Sequence, residues 1–371
     1  MSYNINYEKG IVNRGNLYRI KECMNRAEWG DRMTVGFLGG SITQGAVSSQ
    51  LTNCYAYLVY EWWVKKFPKS AFTYVNAGIG GTSSQFGVAR VESDLLKFHP
   101  DFALVEFSVN DENDDFFQET YEGLLRKVIT SPLQPAVLSM HNMFYNDGKN
   151  AQEKHLAIAK HYEVPSVSVK DSVYAEIEKG TIKKEELTPD DLHPNTEGHR
   201  LVADLIIHFL EKVYEEREVD EEPVTELVEP ITANQYENSV RYQNYNTVTV
   251  SDGFVADPNP QRVVADTFHH GWMAEKMGDS IKFLIKGTGI AIQYRKSVAQ
   301  PAPVAVAIID GDEENAITLD ANFDETWGDC LYLQTALFHG DDKEHTVEIK
   351  LEKVTEDNVV PFYLVSVIGS N

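Results

Sequence analysis

Cysteine is scarce in this chain. Three thiols, Cys23, Cys54 and Cys330, are spread over 371 residues, with no C-x-x-C pair and an odd count. That pattern argues against a disulfide framework and fits a reducing compartment. Basic residues are also short: Lys plus Arg number 33 against 57 Asp plus Glu, a formal net charge of −24. A surface so acidic repels phosphate, so neither nucleic acid nor an anionic membrane is an expected partner. No run approaches eighteen apolar residues, which excludes a membrane-spanning helix. The opening stretch MSYNINYEKGIVNRGN lacks the apolar centre of a secretory leader, and the expected location is the cytoplasm. Internal repeats and low-complexity tracts are absent as well.

What is present reads as an ordinary globular composition, 42% hydrophobic and 24% charged. At roughly 150 residues per domain the length predicts two domains. Between about 30 and 215, short apolar runs (33–38, 72–76, 102–107, 136–140 and 164–169) alternate with helix-period stretches near 54–67, 84–97, 117–130, 150–162 and 196–214. Alternating βα units of this length predict an α/β fold, a parallel sheet flanked by helices on both faces. The active site of such a sheet lies outside the carboxyl ends of its strands. Residues 215–222, EEREVDEE, carry six acids and one Arg before Pro223, which reads as a solvated helix end with a linker. Beyond it, short β-rich runs at 247–250, 280–285, 290–294, 304–309, 330–333, 346–351 and 363–367 alternate with turn residues. They predict an all-β sandwich, jelly-roll-like. The expected division is 1–218 catalytic, 219–228 acidic linker and 229–371 β-domain.

Four short stretches of the first half carry chemistry. In GFLGGSITQG (36–45) Ser41 falls just past a strand end, where a hydroxyl can enter the cleft. Thr43 stands where a GxSxG nucleophile elbow needs glycine, so this is not that elbow. In NAGIGGTSS (76–84) Ser83 breaks a dinucleotide GxGxxG fingerprint, although Gly80 and Gly81 still bring bare backbone to the sheet edge. FSVND (107–111) ends the third run, and Asn110 offers an amide to the same cleft. In PDDLHPN (189–195), Asp190 and His193 are spaced so that the carboxylate can curl onto Nδ1 and leave Nε2 as a base. No further His, Cys or acid stands there at ligand spacing, so no metal is expected. Each stretch alone is also an ordinary turn.

Taken in order, the four blocks resemble the SGNH hydrolases, the superfamily of GDSL-type esterases, over about residues 30–215. The resemblance implies Ser41 as nucleophile and His193 as general base oriented by Asp190. It also implies an oxyanion hole from the Ser41 N–H, the Gly81 N–H and the Asn110 side-chain amide, and no metal or organic cofactor. Two departures stand out: Gly40 replaces the Asp of Gly-Asp-Ser, and Ser108 replaces the glycine that opens block three. The GGSIT form followed by a carbohydrate-binding-module-like β-domain is similar to the mannan O-acetylesterases of gut bacteria. That resemblance implies a serine esterase acting on acetylated oligosaccharides. A lipase or thioesterase, and a non-catalytic sugar-binding protein, are the alternatives. No apolar lid is visible, which disfavours a lipase, and every catalytic group is present.

Aromatic faces stack on sugars, so Trp272 (HHGWMAEK) and Trp327 (FDETWGDC), both in loop-like stretches, are the candidate substrate contacts. Trp62 and Trp63 lie on a helix, with at least one expected in the core. The tract 111–115 (DENDD) reads as a solvated loop, and 141–148 as a loop able to line the cleft. The sequence allows a homodimer and does not set the oligomeric state.

Overall fold

The computed structural model describes residues 3–371. The chain forms two compact units, Met1–Asn234 and Gln235–Asn371. In the first unit the strands are β1 (Ile11–Asn13), β2 (Arg32–Gly39), β3 (Ala71–Gly78), β4 (Phe102–Glu106), β5 (Ala136–His141) and β6 (Ser166–Ser168). They form one sheet in the order β1-β6-β5-β4-β2-β3, parallel throughout except for β1 against β6. The five expected strands are all there. β1, Ile11-Val12-Asn13, is too short to show a periodicity.

The helices are α1 (Tyr18–Trp29), α2 (Ser41–Gln44), α3 (Tyr55–Lys66), α4 (Ser84–Asp94), α5 (Asp115–Ile129), α6 (Gln152–His161), α7 (Ala175–Glu178) and α8 (Thr196–Glu215). Alternation along the strands sorts them into layers. Met33, Val35 and Phe37 of β2, with Phe102 and Leu104 of β4, join residues of α1, α3 and α8 in one core cluster. Ala103 and Val105 are equally buried but point the other way, toward the layer where α4, α5 and α6 pack on one another. Trp63 is fully buried, against Phe67 and Phe102, while Trp62 is half-buried and donates to Glu211 at 2.7 Å. A large apolar side chain buried this way contributes about 1.5–3 kcal/mol. β2 pairs with β3 on one side and β4 on the other, so the chain reverses direction across the sheet at β2, which places the cleft at its carboxyl end.

The acidic segment is largely exposed, and one of its acids, Glu221, is drawn onto the first unit. Glu221 accepts from the Leu17 N–H at 2.9 Å, from Lys21 at 2.8 Å and from Arg14 at 3.0 Å. Burial pushes its carboxyl up, but the Arg14 and Lys21 hydrogen bonds outweigh this and bring it to about 2. Further on, the buried Glu122 accepts from the Ile231 and Thr232 N–H groups and the Thr232 hydroxyl. Two inward-facing anchors thus hold the acidic stretch and its continuation on the first unit, and the chain divides after Asn234.

The second unit is a β-sandwich of two antiparallel sheets. Its strands are β7 (Val240–Tyr242), β8 (Val250–Asp252), β9 (Val255–Ala256), β10 (Trp272–Ala274), β11 (Ser280–Gly287), β12 (Gly289–Lys296), β13 (Val304–Ile309), β14 (Ile317–Asp320), β15 (Cys330–Leu337), β16 (Lys343–Lys353) and β17 (Phe362–Ser370). One sheet runs β15-β12-β17-β10-β9, with β7 also on β17, and the other β14-β13-β16-β11-β8. Ile281, Phe283 and Ile285 of β11 meet Ile290, Ile292 and Tyr294 of β12 in the shared core, at the period of two that the sequence displays. The run expected at 247–250 is a strand only from Val250 onward. Among the described residues no helix is long and apolar enough to cross a membrane.

Candidate active site

β2 ends at Gly39 and the chain turns through Gly40 into the single turn of α2, which sets Ser41 at the carboxyl end of the sheet. Gly39 is a steric requirement, and Gly40 lies against the Asn110 side chain. A Cβ on Gly39 would lie 2.2 Å from Thr43 Oγ1 and 2.6 Å from the Glu106 carbonyl oxygen, and one on Gly40 would lie 2.2 Å from Asn110 Oδ1. At position 40 a Cβ would meet only the Asn110 side-chain amide, which would have to shift to admit it.

His193 Nε2 lies 2.8 Å from Ser41 Oγ, and His193 Nδ1 lies 2.7 Å from Asp190 Oδ2. A carboxylate can only accept, so Nδ1 carries the proton and Nε2 is left to accept from the serine hydroxyl. The other Asp190 oxygen accepts the N–H groups of His193 at 2.7 Å and Leu192 at 3.1 Å. Burial pushes this carboxyl up, but the hydrogen bonds from the His193 ring and from these two amides outweigh it and hold it below its ordinary value. The loop itself is fastened to α8. Asn195 caps that helix by accepting from the Glu197 and Gly198 N–H groups, both at 3.0 Å, and its own N–H donates to Leu187 O. Tyr145 N–H donates to Asp191 O, and Lys184 pairs with the Asp191 carboxylate at 2.7 Å.

The three groups that the family resemblance implies as oxyanion donors come from the three blocks the sequence singles out. Ser41 is the first helical residue of α2, so its N–H is not consumed inside the helix. Gly81 has φ +68°, in the left-handed region that favours glycine, and is exposed. The backbone N–H of Asn110 is spent on Phe107 O at 3.0 Å, leaving its side-chain amide, whose Oδ1 is buried without a partner. Just below, Glu106 is fully buried and accepts from the Ser108 N–H at 2.9 Å and hydroxyl at 2.8 Å. Ser108, the second departure from the motif, therefore has a partner of its own. Burial pushes the Glu106 carboxyl up to about 7.

Other expectations fare differently. The 111–115 tract is not wholly solvated: Asp111 is buried, accepting from Ser84 N–H at 2.9 Å and His155 Nε2 at 3.0 Å, while Asp114 caps α5. The 141–148 stretch is mostly interior, with His141, Asn142, Met143 and Tyr145 buried. Trp272 is 4% exposed and packs edge-on to Phe283, so it belongs to the sandwich core and has no face to offer a sugar. Trp327 is 61% exposed and rests edge-on against Phe323. Glu106, His155 and Gln44 are not among the residues the sequence singles out. An acid inside the apolar run FALVEF is the available signal for Glu106. The other two become visible only once the chain is folded.

The GDSL-like lipase/acylhydrolase family model matches residues 37–201, spanning all four blocks. A solved two-domain esterase active on acetylated mannans is 57% identical, with TM-score 0.97 and 99% of both chains covered. The chain belongs to the GDSL-like lipase/acylhydrolase family. The same kind of two-domain esterase, co-crystallised with mannopentaose, matches at 57% identity and TM-score 0.95 over 100% of this chain and 99% of that one. A thioesterase 1/protease 1/lysophospholipase L1 from Escherichia coli K12 is 28% identical over 180 residues, 46% of this chain and 80% of its own. The likeness to the two-domain esterase, at 57% identity, extends through the β-sandwich, beyond the 37–201 match.

Proposed function

We propose that this protein is a serine esterase that removes O-acetyl groups from acetylated mannan oligosaccharides. The observation that carries the reaction is the Ser41–His193–Asp190 relay at the carboxyl end of the sheet. The full-length likeness to an esterase active on acetylated mannans, and to its counterpart crystallised with mannopentaose, supports the substrate. His193 Nε2 takes the Ser41 proton as Oγ attacks the acetyl carbonyl. The oxyanion accepts hydrogen bonds from the Ser41 and Gly81 N–H groups and the Asn110 side-chain amide. Asp190 keeps Nδ1 protonated and steadies the imidazolium. His193 then protonates the departing sugar oxygen. Water attacks the acetyl-enzyme with His193 again as base, and acetate leaves. Side chains and backbone amides of this chain supply every step, and Trp327 offers an exposed aromatic face suited to a sugar ring.

The test is acetate release from acetylated mannan and xylan oligosaccharides beside aryl esters of increasing acyl length. Acetylated mannan is expected to be the best substrate and activity to survive EDTA. Rates that rise with acyl length would instead indicate a lipase or thioesterase, and sugar binding without acetate release a non-catalytic protein.

A further inference from the structure

We infer that Gln44 is a positioning residue for the oxyanion hole, selecting the Gly81 N–H over the Gly80 N–H as the donor from block two. The inference rests on the esterase reading above. Block two lies directly on α2: a Cβ on Gly78 would be 2.2 Å from Gln44 N, and one on Gly80 would be 3.6 Å from Ser41 Cβ. Its backbone amides are spent one after another. Gly78 N–H donates to Asn76 Oδ1 at 2.8 Å, Ile79 N–H to Gly39 O at 3.0 Å, and Gly80 N–H to Gln44 Oε1 at 2.7 Å. Gly81 is the next residue. The first two acceptors are built into the sheet end, since Asn76 lies in β3, where its amide also donates to Thr43 O, and Gly39 ends β2. Gln44 is the only one of the three supplied by the nucleophile's own helix.

The peptide joining Ile79 to Gly80 is held at both ends. Its N–H goes to Gln44, and its carbonyl accepts the Thr82 hydroxyl at 2.7 Å. Two consecutive glycines offer the backbone little steric resistance to rotation. Without the Gln44 acceptor, an unpaired Gly80 N–H beside Ser41 would be released, and the Gly80–Gly81 peptide would lose the fixed plane from which it springs. Preorganisation is what gives an oxyanion donor its value, because a donor that must reorient during reaction loses much of its effect.

Gln44→Met keeps the length of the side chain and removes the acceptor. It is expected to lower kcat on an aryl acetate about 10- to 100-fold with KM within about twofold, short of the roughly 10²–10³ for outright loss of a donor. Binding of an alkylboronic acid, which forms a tetrahedral adduct on the serine, should weaken by a similar factor. Exchange of the Gly80 amide hydrogen should accelerate at least about tenfold. Gln44→Glu retains an acceptor at the same reach, so it should keep the Gly80 amide protected and lose less kcat. Ser41→Ala, assayed in parallel, separates the two levels. Turnover in folded Ser41→Ala overturns the esterase reading itself. An inactive Ser41→Ala beside a Gln44→Met of unchanged kcat and boronate affinity overturns only the role of Gln44. A loss in kcat matched by KM, with the Gly80 amide still protected, overturns it too.

Discussion

Two Asp–His pairs lie in the first unit, alike in chemistry and opposite in consequence. His193 and Asp190 meet at 2.7 Å on a loop, with side chains 21% and 44% exposed, and the far nitrogen of the ring reaches Ser41. His155 and Asp111 meet at 3.0 Å with both side chains wholly buried. The His155 ring lies flat on Tyr121 at 3.8 Å between centroids, and the second Asp111 oxygen holds the N–H that opens α4. There the pair fastens α6 and α4 to the loop after β4 and has no nucleophile to activate. An aspartate–histidine hydrogen bond is therefore not a signature of catalysis. What makes it one is a hydroxyl on the free nitrogen, donors for the developing charge nearby, and access for substrate.

The sharpest break of this comparison is to delete each histidine in turn. Ser41→Ala and His193→Ala should each lower kcat by roughly 10⁴–10⁶, and the double variant hardly further, because the two act as a unit. His155→Ala should instead appear in stability, costing about 1–3 kcal/mol for the buried Asp111 oxygen that loses its donor. Denaturant unfolding and steady-state kinetics on the same preparations separate the two outcomes. Asp190→Asn comes next in size. The amide keeps an oxygen for the His193 and Leu192 N–H groups, so the loop should hold, but it opposes the Nδ1 proton and favours the wrong tautomer. A fall in kcat of about 10²–10⁴ is expected, with a modestly lowered unfolding midpoint at neutral pH. Because hydrogen bonds hold the Asp190 carboxyl below its ordinary value, its stabilising contribution is present above about pH 4 and fades as acid protonates it. Wild-type and Asp190→Asn should therefore converge in stability at the acid end. Smaller still is Trp327→Ala, expected to lower kcat/KM on acetylated oligosaccharides about tenfold while sparing aryl acetates.

The relay was legible because each member carries its own local signal: a glycine-bracketed serine after an apolar run, and a D-x-x-H spacing between prolines. The βα alternation and the β-rich second half were legible for the same reason, since periodicity is written residue by residue. Asp111 and His155 are forty-four residues apart on a loop and a helix, and only the sheet topology brings them together. The DENDD tract misleads because charge runs are usually solvated, whereas here its first carboxylate turns inward to an imidazole and an amide. Trp272 misleads in a similar way. Its loop-like context ends in a three-residue strand, whose pleat turns the indole into the core beside Phe283. Gly40 departs from the Gly-Asp-Ser motif, and its closeness to the Asn110 amide arises only in the fold.

Asp190 and Glu106 allow a last and finer comparison, one acid on the loop before α8 and one at the end of β4. Asp190 has a ring and two amides donating to it, and its carboxyl is lowered. Glu106 accepts from Ser108 on one oxygen with the Asn142 amide near the carboxyl, and burial outweighs these and raises it from 4.5 to about 7. A carboxyl raised on folding binds its proton more tightly in the folded state, so stability is greatest at low pH and declines as pH rises from about 4.5 through 7. At 1.36 kcal/mol per pKa unit the full decline is on the order of 3 kcal/mol. Glu106→Gln keeps an oxygen for Ser108 and removes the titration. Its melting temperature should match wild-type within a degree or two near pH 5 and exceed it by several degrees near pH 8, measured by calorimetry. Parallel curves for the two proteins across that range would show that Glu106 titrates as it does in the unfolded chain, and the contrast with Asp190 would disappear.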